Sequence, residues 1–417
     1  MISIDKQPQN FTPANSPIQF KFTSEKPGTL YFNVQVLDGE TGGLIANQKY
    51  QSLPNLNNGA VCDLSSVLNS FVYSQLLPSV DLLQPVSKLV KAYQLSITDN
   101  YLSGSTVVTG STLTTDIYNV WNAEFDRIQF TDFAYMDYAV NALSATIKFL
   151  NDKPQISNTY RGSNEYLYFL NAGINGKVEF KFYGFGHTLL GSHSLSGITA
   201  NTKAYRLNVS PNAIQNYYGN ALSNLYGNYS FDEMFTDTFG SNYGINNANY
   251  YTVQILDSNN NPKSELRTYI LKNDKCIGEP VQIVFSNRLG GFDSVTMFNP
   301  AETISVEKSI IKTYPYQINS AGDYTNITDG VYNETDVVYH KVSESTYKVF
   351  SDVLNIKTAQ WLKSIIDSEK VYVKLSNGVF LPITINNKSY NLNNKQYSTG
   401  NKRLELEFKV SESGLKF

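Results

Sequence analysis

Chemistry in this chain would have to come from few places. There are three histidines, His187, His193 and His340, and two cysteines, Cys62 and Cys276. His187 and His193 sit in GFGHTLLGSH, a spacing that fits neither an HExxH helix nor a zinc finger. They read as loop histidines held by solvent or a hydrogen bond, and His340 in VVYHKV reads as an ordinary strand residue. The cysteines are far apart along the chain and read as buried free thiols, which points to synthesis in a reducing cytoplasm. Asp257, Asn259 and Asn261 open like a calcium loop, but Pro262 and Thr268 stand where that loop needs Gly and Glu, so a hairpin turn is expected. Glu124 and Asp126 could serve as the two acids of a glycosidase, and could equally solvate a strand. No nucleophile elbow, P-loop or dinucleotide fingerprint follows a strand-like run. The sequence therefore reads as a non-enzyme, with no cofactor and no metal expected.

One stretch stands apart: FSNRLGGFDSVTMF, residues 285–298. Gly290 and Gly291 permit backbone angles that other residues resist, so a strand can end or bulge there. Asn287 and Asp293 can bond the exposed backbone of the turn. Arg288 is expected to pair with Asp293, with Phe285, Phe292 and Phe298 as apolar anchors. We read this as a structural corner, bending a β-ribbon that docks on neighbouring subunits, with a ligand pocket at the bend as the alternative.

These residues need elements to hold them. Hydrophobic residues make up 41% of the 417 and charged residues 17%, which suits a folded chain with real cores. The 30 Tyr nearly match the 33 Lys plus Arg, and a ring with a hydroxyl suits pleated sheets and contact surfaces. At a net charge of −3, with no long basic block, no sequence-specific nucleic-acid partner is expected. The N-terminus MISIDKQPQNF has no apolar signal core and no run of ~18 apolar residues occurs, so neither secretion nor a membrane span is expected.

The fold class reads as mainly β (α+β), with several antiparallel β-sandwich-like domains and a C-terminal sheet carrying one helix. Residues 1–147 form an N-terminal β-rich domain with one helix. Leu30, Phe32, Val34 and Val36 alternate along a strand, and DLSSVLNSFVYSQLL predicts a helix capped by Asp63. Pro154 and the polar run after it look like a linker into a second domain, 148–300. There Asn175-Gly176 predicts a hairpin between EYLYFL and VEFKFYGF, residues 215–250 a Tyr/Asn-rich insertion, and residues 250–298 a β-meander. Residues 301–417 form an α+β module, with 315–345 a polar, irregular excursion. Trp361, Leu362, Ile365 and Ile366 share one face of its helix, and Leu404, Leu406, Phe408 and Val410 one face of its last strand.

Three stretches carry a resemblance. SELRTYIL, then Cys276, then VQIVFSNRLGGFDSVTMF is similar to a pattern of virion structural proteins of tailed phages of the Bacteroides and Flavobacterium type, including the crAss-like phages. PQNFTPANSPIQFKFTSE with CDLSSVLNSF resembles the opening β-domain of those proteins. TAQWLKSIIDSEKVYVKLSNGVFLPITI resembles their closing module, similar to tail-tube and distal-tail building blocks. The resemblance implies a structural subunit of the tail, baseplate or neck, located in the virion. Copies would form a homo-oligomeric ring about the particle axis and touch other tail or neck proteins. The helix face of Trp361, Leu362, Ile365 and Ile366 would act as an assembly module, and no catalytic residues are implied. A receptor- or glycan-binding adhesion protein and a tail-associated hydrolase remain the rival expectations.

Overall fold

A computed structural model describes residues 1–410 except 57, 78–80, 144–146, 227–247, 273–277, 329 and 388–402. The chain is mainly β, built from antiparallel and mixed sheets.

The first unit is a sandwich. A three-stranded sheet, Ile2–Lys6, Gln19–Ser24 and Gly59–Asp63, faces a six-stranded sheet whose centre is Thr29–Asp38 paired with Val90–Ser103. Phe20, Phe22, Phe32, Val34, Val36, Leu95 and Ile97 fill the space between them. The alternation predicted this face from Phe32 onward. Leu30 departs from it and stays exposed, because the pairing skips it at a bulge between Thr29 and Tyr31. The predicted helix is shorter than expected: Ser65–Leu68 plus a 3-10 turn Asn69–Phe71, after which Val72 turns extended and enters the core. Asp63 accepts from the Ser65 N–H at 3.0 Å and so satisfies the first donor of this turn.

The second unit faces a five-stranded sheet against a four-stranded one. The former runs Ile156–Tyr160, Arg267–Lys272, Tyr250–Asp257, Gly176–Tyr183, Leu189–Ile198. The latter runs Ala139–Val140, Tyr166–Asn171, Ala204–Asn208, Leu83–Pro85. The expected Asn175-Gly176 hairpin does not form, because the flanking strands lie in different sheets. Asn175 spends its side-chain oxygen on the Ala200 N–H at 3.0 Å, and Gly176 begins a strand. Nor is the boundary at 147 clean, since Leu83–Pro85 pairs with Ala204–Asn208. The expected linker is clamped: Leu150 N–H donates to Tyr168 O at 2.7 Å, and Lys153 is buried. Within 215–250 the chain is helical from Pro211 to Tyr226, and 227–247 lie outside the described residues.

The third unit is a closed six-stranded barrel, in the order Pro280–Ser286, Phe292–Lys312, Asp336–Ser351, Glu405–Val410, Phe380–Ile385, Val371–Lys374. The predicted meander breaks here, since Pro280–Ser286 pairs inside the barrel and not with Arg267–Lys272. The expected domain boundary at 300/301 falls inside the strand Phe292–Lys312, which begins in the barrel wall and leaves it. Helix Ile356–Leu362, capped by Asn355 Oδ1 on the Thr358 N–H at 2.9 Å, packs against the barrel core. A separate aromatic core, including Trp121, Phe125, Tyr138, Tyr168, Leu289 and Phe292, joins all three units.

Candidate functional site

Two regions stand out, one holding the residues singled out by sequence and one not foreseen, and they lie at opposite ends of one strand. The first is the corner at Asn287–Gly291, which links Pro280–Ser286 to Phe292–Lys312. Asn287 uses its whole amide. Its Oδ1 accepts the N–H groups of Leu289 and Gly291, each at 3.0 Å, while its Nδ2 donates to Leu150 O at 2.9 Å and Asp293 Oδ1 at 2.8 Å. Gly290 has φ +92°, and a Cβ there would lie 2.0 Å from Asn122 O. Only glycine meets both demands. Leu289 is fully buried in the shared core, and the Glu124 N–H donates to Arg288 O at 2.7 Å. The corner thus packs on the chain's own first 150 residues, where a ribbon docking on neighbouring subunits was expected.

The expected Arg288–Asp293 pair does not form. Arg288 turns outward, donating to Asp152 Oδ2 at 2.7 Å and Gln129 at 2.9 Å. Asp293 turns inward, where Trp361 Nε1 donates to its Oδ2 at 2.6 Å. Burial pushes the Asp293 carboxyl up to about 6, against the pull of the Trp361 and Asn287 bonds and the Lys153 charge. Lys153 is itself buried against Glu165 at 2.7 Å and lies 5.1 Å from the Trp361 ring centre. This polar chain locks the barrel to the second unit. It also overturns the expected contact role of the helix face: Trp361, Leu362 and Ile365 are buried in the chain's own barrel core, with Ile366 packed against it. Their spacing made one face apolar, and that face found an internal partner.

A cavity of about 80 Å³ lies beside this lock, lined in part by Lys153, Tyr160, Glu165 and Trp361. It is far smaller than the ~300–1,000 Å³ of sites that enclose organic ligands. On the corner's other flank an open cleft of about 400 Å³ is lined by Glu124, Arg288, Asp367 and Glu369, among others. Asp126, the second acid read from the sequence, instead caps a short helix by accepting the Gln129 N–H at 2.8 Å.

The other chemical candidates are absorbed by local structure. Asp257 Oδ1 accepts the N–H groups of Asn259 and Asn261 at 2.9 and 2.8 Å, closing a turn, and the backbone bond from Asn261 leads in holding its carboxyl below the usual range. His187 Nδ1 meets Tyr250 Oη at 2.9 Å. His193 stacks on Tyr218 at 4.5 Å, and burial lowers its pKa. Cys62 is buried, and Cys276 lies outside the described residues. Among the described residues no cluster of three His, Cys, Asp or Glu could hold a metal, and no helix is long and apolar enough to cross a membrane.

The second region is the far end of the strand that starts at the corner. Among the described residues, Ala301–Lys312 leaves the barrel paired only with residues 336–348, and two small hairpins cap the resulting ribbon. It replaces the irregular excursion expected at 315–345. Cross-strand pairs share a face. One face carries Tyr347, Ile304, Val306, Lys308 with Lys341, and Ile310 with Val338. Tyr347 is buried and stacks on Phe408, so this face continues the barrel's inner wall into solvent. Beyond the rim it carries exposed apolar groups among polar ones: Ile304, opposite Ser345, is 62% accessible, and Ile310, opposite Val338, 55%. At the tip Tyr314, Tyr316, Tyr324 and Tyr332 are also exposed. Two-sided exposure hid this surface from pattern reading; the signal present was the run of β-branched residues in TISVEKSIIK and DVVYHKV.

No family model matches the sequence, and no curated protein matches it. Among solved structures, the complex of Dpr2 Ig1-Ig2 with DIP-Theta Ig1-Ig3 is 8% identical, covering 84% of this chain and 94% of that one at a TM-score of 0.20. DIP-gamma IG1+IG2 is 9% identical over 65% and 97%, at 0.17. Dimeric latent PorU from Porphyromonas gingivalis is 8% identical over 84% and 32%, at 0.18. At such scores the likeness carries no argument, and the β-sandwich assignment stands on the sheet pairings above.

Proposed function

We propose that the chain is a structural subunit of a bacteriophage virion, a tail, baseplate or neck component of tailed phages of the Bacteroides/Flavobacterium type, including the crAss-like phages. Its work is assembly into a ring about the particle axis, after synthesis in the host cytoplasm, with no reaction catalysed. The observation that carries this reading is the ribbon. A lone two-stranded ribbon is marginal in water, and this one holds several β-branched apolar side chains exposed beside a lysine pair unpaired among the described residues, the mixed surface of a contact site. The chain invests residues 301–348 in such an element while its three units are internally locked. The three sequence resemblances supply the virion context.

The test is imaging of purified particles. Density for this chain encircling the axis supports the reading; its absence from particles overturns it. A second reading is favoured by the exposed tip tyrosines, which suit glycan or receptor contact. It predicts saturable binding of the purified chain to a host-surface glycan, lost on Tyr314→Ala with Tyr324→Ala.

A further inference from the structure

We infer that the partner of the ribbon is the ribbon of a second copy of this chain, stacked inner-wall face onto outer face. The inference deepens the assembly reading above and rests on it. The two faces differ in charge. The inner-wall face sets Lys308 directly opposite Lys341 on the return strand. Like charges directly opposite destabilise a strand pair, and neither lysine has an ion-pair partner among the described residues. The outer face carries Glu307 and, diagonally across, Glu344. Glu344 is held by Lys409 at 2.5 Å, whereas Glu307 has no such partner among the described residues.

The apolar groups match as well. Ile304, Val306, Ile310 and Val338 project from one face, and Val342, Ile311 and Val337 from the other. Because Glu307 and Lys308 are neighbours in sequence, stacking two identical ribbons nearly in register, about 10 Å apart, sets the lysine pair of one over Glu307 of the next. The same register places Ile310 and Val338 over Ile311 and Val337. Such a contact uses two different surfaces, so each copy keeps one face free for a further copy, and the series closes into a ring when the rotation allows.

The area sets a condition. Twelve residues at ~3.3 Å rise, in two strands ~4.8 Å apart, offer roughly 400 Å² per face. A stacked pair buries roughly 800 Å², below the ~1,200–2,000 Å² of a stable interface. The tip tyrosines and Ile318 must therefore join the contact.

The experiment is the solution mass of the full chain across a concentration series at low salt, measured by light scattering. Wild-type chain is expected to form oligomers. The variants Lys308→Glu with Lys341→Glu, and Glu307→Lys, should each shift the mass toward monomer, and their equimolar mixture should reassemble. All three positions are exposed, so unchanged melting curves serve as the folding control. Stacking of two inner-wall faces is excluded if Glu307→Lys dissociates the oligomer, and stacking of two outer faces is excluded if the double lysine variant does. Oligomers unchanged in both variants overturn the stack while leaving the ring reading, which particle imaging tests separately. Wild-type chain that stays monomeric at every concentration overturns the stack outright.

Discussion

The strand Phe292–Lys312 begins and ends in opposite environments. At its start Asp293 is buried, with a donor on each oxygen and a tryptophan, an asparagine and a lysine around it. At its end Ile310 and Ile311 stand in solvent and Lys308 faces Lys341. The comparison separates two uses of one element. Where every polar group is satisfied within the chain, the residues serve the fold. Where apolar groups and like charges are left open, the fold does not use them, and in the assembly reading proposed above they serve a contact between copies.

The largest effect that would sharpen this contrast is expected at Gly290. Replacing it with Ala drives a Cβ into Asn122 O at a left-handed φ, and should destabilise the chain by about 3 kcal/mol or more, read as a lowered Tm. Asn287→Ala removes four hydrogen bonds and leaves buried N–H groups unmet, for a loss of roughly 2–4 kcal/mol in denaturant unfolding.

Asp293 gives a pH signature. Its folded pKa, about 6, lies above the ordinary 3.8. The folded state therefore binds the proton more tightly, and this contribution is complete below pH ~4 and lost as pH rises through ~6. The loss is on the order of 2–3 kcal/mol. Asp293→Asn should flatten that slope relative to wild type, whatever its own cost; parallel pH profiles would contradict the assignment. The smallest stability effect belongs to the ribbon. Ile304→Ser and Ile310→Ser should change the unfolding free energy by under ~0.5 kcal/mol while weakening self-association, and a large drop in Tm would show the ribbon to be part of the fold.

Much of the architecture was legible where one face is buried. Leu404, Leu406 and Phe408 alternate into the barrel core, and the face of Trp361, Leu362 and Ile365 does the same at helical spacing. What failed was long-range choice. Arg288 had Asp293 five positions away, yet paired with Asp152, because the corner's inward side was already filled by Asn287 and Trp361. Asn175-Gly176 carried a hairpin signal, but the strand before it had a better partner in Ala204–Asn208. A domain boundary was expected between residues 300 and 301, just after Asn299-Pro300. The chain makes a bulge there instead, with Asn299 at φ 55° and the pairing skipping from Phe298 to Ala301, so the strand continues past a residue that usually ends one.

The most direct test of the central claim is amide hydrogen exchange along this one strand, in dilute chain and in assembled chain. The account predicts slow exchange at residues 292–298 in both states, and exchange at 301–312 and 336–348 that is fast when dilute and slows on assembly. Equal exchange of the ribbon in the two states would contradict it.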